Sequence, residues 1–455
     1  MHHARFRLLI SSLLLAAGLN TAQAQSAPQS AQAAASAVPA SSTVPTSSLS
    51  ASAKRIYEQS RLQLLQIRTL LKGQDSQSSV GSGFIVRDDG LVITNYHVVS
   101  QYALEPERYR LRFATTDGLE GPIDLIDIDV RHDLALLRLP ANSPARRGAL
   151  HFRPTDQPLT IGERIYSMGN PRDVTFAVVE GNFNGLVERS FDPLIYYAGS
   201  INPGMSGGPV LDDQGRVVGI NVSAMIFAEQ MSFLVPGKDA EALLLHSGQK
   251  TQVLPTPAWP TITQQLLAYQ DDLTHAFLAQ PWRDGGHEHY KLPMPAEQFM
   301  RCWGGNTASD AKGIKTESTR CRMEHNVFVR DSLRLGYLDF EQLRMDGQNV
   351  GPLRFSQAYS RRFGMNANMI GGKERTAPQC KESFIESDHL PLRAVVCMSA
   401  YKKLKGLYDL SVLVATVDQS EQGAQGQFEA SGVSFDNAMK LTTHYLEGFG
   451  WKSAH

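Results

Sequence analysis

A serine set among glycines constrains this chain more than any other feature. From Gly199 to Val222 the sequence reads Gly-Ser-Ile-Asn-Pro-Gly-Met-Ser-Gly-Gly-Pro-Val-Leu-Asp-Asp-Gln-Gly-Arg-Val-Val-Gly-Ile-Asn-Val, with Ser206 at its centre. Gly204, Gly207 and Gly208 let the backbone turn tightly and bring its own N–H groups toward a ligand. A serine on such a turn suits a nucleophile whose neighbouring amides hold the oxyanion formed on attack at a carbonyl. Gly-x-Ser-x-Gly alone is also an ordinary turn, so the residues after it decide its meaning. Pro209–Leu211, the turn Asp212–Gly215 and Arg216–Val222 read as a β-hairpin. A strand-to-helix elbow would place the acid and histidine downstream. A hairpin sends the search upstream, for the order histidine, aspartate, serine.

Both partners are there. Val80 to Val99 reads as a strand, an Asp89-Gly90 turn and a second strand ending at His97. Asp133 opens the apolar run Leu134–Leu139. His97 would take the Ser206 proton and return it to the leaving amine. Asp133 would hold the other ring nitrogen and stabilise the imidazolium. The Gly204 and Ser206 N–H groups would form the oxyanion hole. Taken singly, His97 reads as a half-buried residue at a strand end and Asp133 as a turn residue. Three such contexts in one order carry the weight. His132, beside Asp133, should point the opposite way if that segment is extended.

The ends of the chain bear on where this chemistry would operate. Arg5 and Arg7 precede the apolar run Leu8–Leu19, and Ala22-Gln23-Ala24 supplies a small-x-small cleavage pattern. Residues 1–24 thus read as a cleavable signal peptide, which places the mature chain in the periplasm or outside the cell. No later stretch approaches the apolar length of a membrane span. The net charge of −1 gives no electrostatic reason to expect nucleic acid. Cys302, Cys321, Cys380 and Cys397 are the four cysteines, an even number that favours disulfides in an exported chain. Nearest-neighbour pairing, Cys302–Cys321 and Cys380–Cys397, is the one expected among three connectivities, and a zinc site with His287, His289 or His325 is the minor alternative.

Residues 25–52 are almost wholly Ala, Ser, Pro, Gln, Thr and Val and read as a disordered tether. Lys54–Ser60 can open a short helix and Leu62–Leu71 a strand. Leu159–Gly169 and Val174–Val187 add more short strands, so residues 53–246 read as all-β, with Leu243–Leu245 closing them. Residues 247–258 read as a polar linker. Ile262, Leu266, Leu267, Leu273, Phe277 and Leu278 mark a helix. Strand-like runs come next at Asn326–Phe340, Leu392–Ala400 and Leu407–Val417, with a closing helix near Asn437–Leu446. Residues 259–455 are therefore expected to be a separate α+β domain, disulfide-stabilised and of unknown function.

Thr94-Asn95-Tyr96-His97-Val98-Val99, Asp133-Leu134-Ala135-Leu136-Leu137 and Asn202-Pro203-Gly204-Met205-Ser206-Gly207-Gly208-Pro209 resemble the three catalytic blocks of trypsin-like serine proteases of the HtrA (Deg) type. Gly169-Asn170-Pro171 and Ser232–Pro236 resemble two further elements of that family. The likeness runs over roughly residues 56–245. It implies a mainly β, chymotrypsin-like double β-barrel, two barrels of six strands with the active site between them. It implies protein or peptide substrates, an acyl-enzyme intermediate, a part in protein quality control and no cofactor or metal. Beyond residue 245 no PDZ domain is recognised, so the family's assembly and peptide-triggered activation are not carried over. By the same resemblance Ser200 and Ile201, with Asn221, Val222 and Ser223, line the primary substrate pocket. None is charged, which points to small or medium aliphatic side chains. Ile220–Ser223 would pair with an extended substrate as an edge strand. Two other readings use the same residues: a peptide-binding or chaperone-like module with a latent protease domain, and an esterase.

Overall fold

In the computed structural model, residues 49–171, 174–224, 231–286, 288–308, 312–366 and 372–452 are described. The expected signal peptide, all but the last residues of the expected tether, and His287 lie outside them. Helix α1 (Ala51–Ser60) starts where the Ser50 hydroxyl accepts the Ala53 N–H at 3.1 Å. The chain then lays down β1 (Leu64–Leu71), β2 (Gln77–Arg87), β3 (Leu91–Asn95), α2 (Tyr96–Leu104), β4 (Tyr109–Thr115), β5 (Glu120–Pro122), β6 (Asp124–Asp129) and β7 (Leu134–Arg138). These seven strands form one antiparallel sheet in the order β5-β4-β1-β2-β3-β7-β6. The sheet's two edges, β5 and β6, are one extended segment interrupted after Pro122, which has no N–H to give to a ladder. The expected six-strand barrel is thus a sheet joined edge to edge by the chain itself.

The second half closes fully by hydrogen bonds. Strands β8 (Arg164–Gly169), β9 (Ala177–Leu186), β10 (Ile195–Ala198), β11 (Pro209–Leu211), β12 (Val217–Ala224) and β13 (Ser232–Pro236) form a closed barrel in the order β10-β13-β12-β11-β8-β9. Ile165, Phe183, Tyr197, Met205, Val210 and Leu234 fill it. Phe84, Ile93, Leu136, Tyr166, Met168 and Ile220 belong to the cluster that joins the two halves. Leu243–Leu245, expected as strand, lie in helix α3 (Gly237–Ser247). One face of it buries Ala240 and Leu243 while Leu245 faces solvent, a helical period that three residues of sequence could not reveal.

Helix α4 (Trp259–Leu278) opens the last part of the chain. Short pieces β14 (Arg283–Asp284), β15 (Tyr290–Lys291) and β16 (Pro293–Met294) precede β17 (Arg301–Asn306), β18 (Lys315–Arg322), β19 (Val327–Arg330), β20 (Leu333–Leu335) and β21 (Tyr337–Asp346). Helix α5 (Pro352–Asn366), β22 (Gln379–Ser387), β23 (Leu390–Ala400), β24 (Tyr408–Thr416), β25 (Gln422–Val433), α6 (Phe435–Glu447) and β26 (Gly450–Trp451) complete it. A second seven-stranded antiparallel sheet has the order β17-β18-β21-β25-β24-β23-β22. Each edge pair of this sheet is cross-linked at directly opposed residues, Cys302–Cys321 and Cys380–Cys397. The nearest-neighbour pairing holds, and these thiols are not metal ligands.

The run Asn326–Phe340, expected as one strand, is a β19–β20 hairpin followed by β21. The break falls at Asp331-Ser332, and Gly336, at φ +71°, turns the chain back into the large sheet. The segment 247–258 is packed. Leu254 and Ala258 are buried, and their N–H groups reach the carbonyls of Leu125 and Ala103 at 2.8 Å. One apolar cluster holds Val98, Val99 and Leu125 of the first sheet and its helix together with Leu266 and Tyr269 of α4 and Val329 and Leu335 of the hairpin. A chain ended after Gly248 would expose that shared face. It should aggregate and bind a hydrophobic dye, as size exclusion and dye fluorescence would show, whereas a self-sufficient N-terminal half would remain monomeric.

Candidate active site

His97 is not the end of a strand. β3 stops at Asn95, and the histidine is the second residue of α2, half-buried in its first turn. The loop before β7 comes back alongside and presents Asp133. Asp133 has φ +56°, a left-handed conformation that aspartate tolerates through local hydrogen bonds. Its carbonyl accepts the Tyr96 N–H at 3.0 Å and the Asn95 side-chain amide at 2.8 Å. Both carboxylate oxygens then face His97. Oδ1 accepts the backbone N–H at 2.8 Å and Oδ2 meets Nδ1 at 2.6 Å. Such pairing keeps the proton on Nδ1 and leaves Nε2 with its lone pair. Burial alone would lower the imidazolium pKa, but the Asp133 charge and hydrogen bond prevail and raise it above the ordinary histidine value. His132 turns away and pairs with Asp129 at 2.6 Å.

The Ser206 loop belongs to the other barrel and is held from three sides. Gly207, at φ +83°, donates its N–H to the Asn221 carbonyl at 2.8 Å. The Asn221 side chain, fully buried, accepts from the Ser167 hydroxyl at 2.8 Å. Its amide donates to the carbonyls of Met168 at 2.9 Å and Met205 at 3.2 Å. Because the peptide is trans, fixing the Met205 carbonyl aims the Ser206 N–H the opposite way. Among the described residues, neither the Gly204 nor the Ser206 N–H has a protein acceptor. The Ser206 hydroxyl donates to the Val222 carbonyl at 3.4 Å, and among the described residues no hydrogen bond joins it to His97.

The first sheet reaches across to grip this loop through Ser82. Its N–H donates to the Ser206 carbonyl at 2.7 Å and its hydroxyl to the Gly204 carbonyl at 2.8 Å. The same hydroxyl accepts the Asn170 N–H at 2.9 Å. Ser82 was legible only as part of a strand. The one signal that could have singled it out is its placement between Gly81 and Gly83. A Cβ on Gly81 would come within 2.9 Å of the Ser206 carbonyl. A loop and a strand can approach so closely only where side chains are missing.

The pocket residues divide. Ser200 is exposed, while Ile201 is buried in the second barrel's core. Asn221 spends its side chain on the loop and offers nothing to a substrate. Val222 is half-buried at the cleft, and Ser223 comes after it on β12, opposite Phe233. Nor is all of Ile220–Ser223 an edge. Ile220 pairs with Pro209 on one side and Val235 on the other, and β11 begins there. Among the described residues, only the part of β12 from Val222 onward lacks a neighbour on the β11 side. Asn221→Leu would remove a buried partner from the Ser167 hydroxyl and from the Met168 and Met205 carbonyls at once, the last keeping the Gly208 N–H. Destabilisation of about 2 kcal/mol or more is expected from chemical denaturation, with the m-value unchanged.

Residues 81–220 match the family model described as a trypsin-like peptidase domain. A probable periplasmic serine endoprotease, DegP-like, from Brucella suis is 31% identical over 181 residues, covering 38% of this chain and 33% of the relative. A protein of the same description from Pseudomonas fulva is 34% identical, over 35% of this chain and 32% of its own length. The chain thus spans about a third of the length of these curated relatives. Among solved structures, a serine endoprotease from Yersinia pestis aligns with a TM-score of 0.37 at 21% identity, over 44% of this chain and 67% of that one. A protease from M. tuberculosis in its active form aligns with a TM-score of 0.39 at 21% identity, over 44% and 87%. By sequence, residues 81–220 thus match a trypsin-like peptidase domain, and the chain is similar to DegP-like serine endoproteases.

Proposed function

We propose that this protein is an exported serine endopeptidase in which His97, Asp133 and Ser206 act as the triad. The observation that carries the reading is the Asp133 carboxylate, both of whose oxygens are committed to His97. Rotation of the Ser206 side chain away from the Val222 carbonyl would bring its hydroxyl toward the free Nε2. His97 then takes the hydroxyl proton as the Ser206 oxygen bonds to the scissile carbonyl carbon. The resulting oxyanion is received by the N–H groups of Gly204 and Ser206. The imidazolium gives the proton to the leaving amine, the peptide bond breaks, and an acyl-serine remains. Water, deprotonated by the same Nε2, releases the acid and restores the hydroxyl. An extended peptide can pair with β12 beyond Val222, outside the reach of β11. The relatives' descriptions as periplasmic proteins, together with the N-terminal signal pattern, support work in the periplasm. Client proteins in quality control fit that location.

A second reading draws on the Ser206–Val222 hydrogen bond, which parks the hydroxyl away from the base. On it, the domain binds peptides and stays latent. Fluorophosphonate labelling decides between the two. Labelling that disappears in Ser206→Ala supports the peptidase, and a folded protein that binds unfolded polypeptide yet never labels supports latency.

The charge state of His97 sets the pH profile. The base must be neutral, and its folded-state pKa lies above the ordinary histidine value of about 6.5. Activity should therefore be full at higher pH and fall as pH drops through a midpoint above that value. Initial rates on a peptide substrate across the acid limb test this, and a midpoint at or below the ordinary value would contradict it.

A further inference from the structure

The cleft beside His97 has a wall that the peptidase domain does not supply. A cavity of about 540 Å³ lies there, lined on one side by His97, Val222 and Phe233 and on the other by His325, Phe328 and Arg334. The last three come from the β19–β20 hairpin and its approach, far downstream of residue 220.

This hairpin is rooted firmly. Val327, Val329, Leu333 and Leu335 are buried in the core cluster shared with the first sheet. The Tyr96 hydroxyl, one residue before His97, donates to the Val329 carbonyl at 2.9 Å. The Tyr269 hydroxyl of α4 donates to the Gly336 carbonyl at 3.0 Å. From that base Phe328 sets its ring against His97, with centroids 6.0 Å apart and planes at 75°, and against Tyr96 at 6.2 Å. The Arg334 guanidinium covers the Phe328 ring, 5.2 Å from its centroid. The groups that act electrostatically on His97 are Asp133 from the loop before β7, and Asp331 and Arg334 from the hairpin.

Asp133 pins one nitrogen of the imidazole but does not by itself stop the ring swinging about that bond. The moment of risk comes after proton uptake, when a solvated imidazolium gains by moving toward water. A ring edge-on to the imidazole closes that exit.

We propose that Phe328, backed by Arg334, is a positioning residue for His97, so that the C-terminal hairpin completes the active site. The inference rests on the peptidase reading for its consequence in catalysis, but the contact itself can be tested apart from turnover.

A small fluorophosphonate has no side chain to fill the cavity, so its labelling rate reports the Ser206–His97 geometry and not substrate fit. In the full chain, Phe328→Ala should label about tenfold or more slowly, Phe328→Tyr near the wild-type rate. On peptide substrates the loss should appear in kcat more than in KM. The His97 titration midpoint, read by NMR in a Ser206→Ala background, should rise in Phe328→Ala because burial of the imidazolium is relieved. Wild-type labelling with no change of rate or midpoint in Phe328→Ala would overturn the proposal. A wild type that never labels would sink the peptidase reading; the NMR midpoint would then decide the contact, a shift supporting it and no shift overturning it. Should Phe328→Ala fail to fold, Arg334→Ala, at an exposed position of the hairpin, keeps the test alive. It should slow labelling in the same direction by a smaller factor, and an unchanged rate would overturn the proposal.

Discussion

The whole arrangement depends on a short seam where Ser82 of the first sheet grips the loop of the second barrel. His97 and Asp133 stand on one side of that seam and Ser206 on the other, so no single core positions all three. Ser82 binds the carbonyls of Gly204 and Ser206. These share their peptides with the Met205 and Gly207 N–H groups, so Ser82 fixes the peptides on either side of the Met205–Ser206 one. Asn221 does the same from within the barrel by holding the Met205 carbonyl. An oxyanion site made this way needs no charged side chain. It needs only peptide groups that cannot rotate, and that is a matter of hydrogen bonds and tight packing.

Much of this was legible because glycine and small residues leave a mark. The Ser206 loop, the Asp-Gly turn after β2 and the apolar strands around them all come from local rules. The parts that were not legible depend on tertiary partners. His97 opens a helix because Asp133 captures its N–H, which substitutes for a capping side chain at Asn95. Asn221 looks like a pocket residue until Ser167, Met168 and Met205 are seen around it. The Leu243–Leu245 triplet reads as apolar in any conformation and became helical because only one of its faces meets a core. The β19–β20 turn is marked by Asp331-Ser332, a weak signal inside a long strand-like stretch.

The C-terminal part was visible as helices and strands but not as a neighbour of His97. Its large sheet has helices on both faces: α4 and α6 cover one, and α5 packs Phe355 and Phe363 on the other. Both disulfides tie outer strand pairs, and both outer strands are largely exposed. Edge strands open first, because only one neighbour holds them. A covalent tie at each edge therefore stabilises the sheet where its ladder is weakest. Each bridge closes a short loop, and that constraint on the unfolded chain is worth about 3 kcal/mol.

The shared core has a consequence for His97. The apolar face of α2 is packed by the hairpin, and α2 carries His97 in its first turn. Anything that loosens the C-terminal sheet must therefore loosen the helix that carries His97. Tyr96 makes the coupling direct, since its buried hydroxyl has the Val329 carbonyl as its acceptor. Losing that acceptor would strand a polar group in a low-dielectric core, at a cost of about 1–3 kcal/mol, next to the residue whose geometry matters most. A linker between independent domains would transmit no such penalty. The buried segment around Leu254 and Ala258 does, because it is hydrogen-bonded to the first sheet and to α2 before it enters α4. Integrity of the downstream sheet and alignment of His97 are thus two expressions of one packing arrangement.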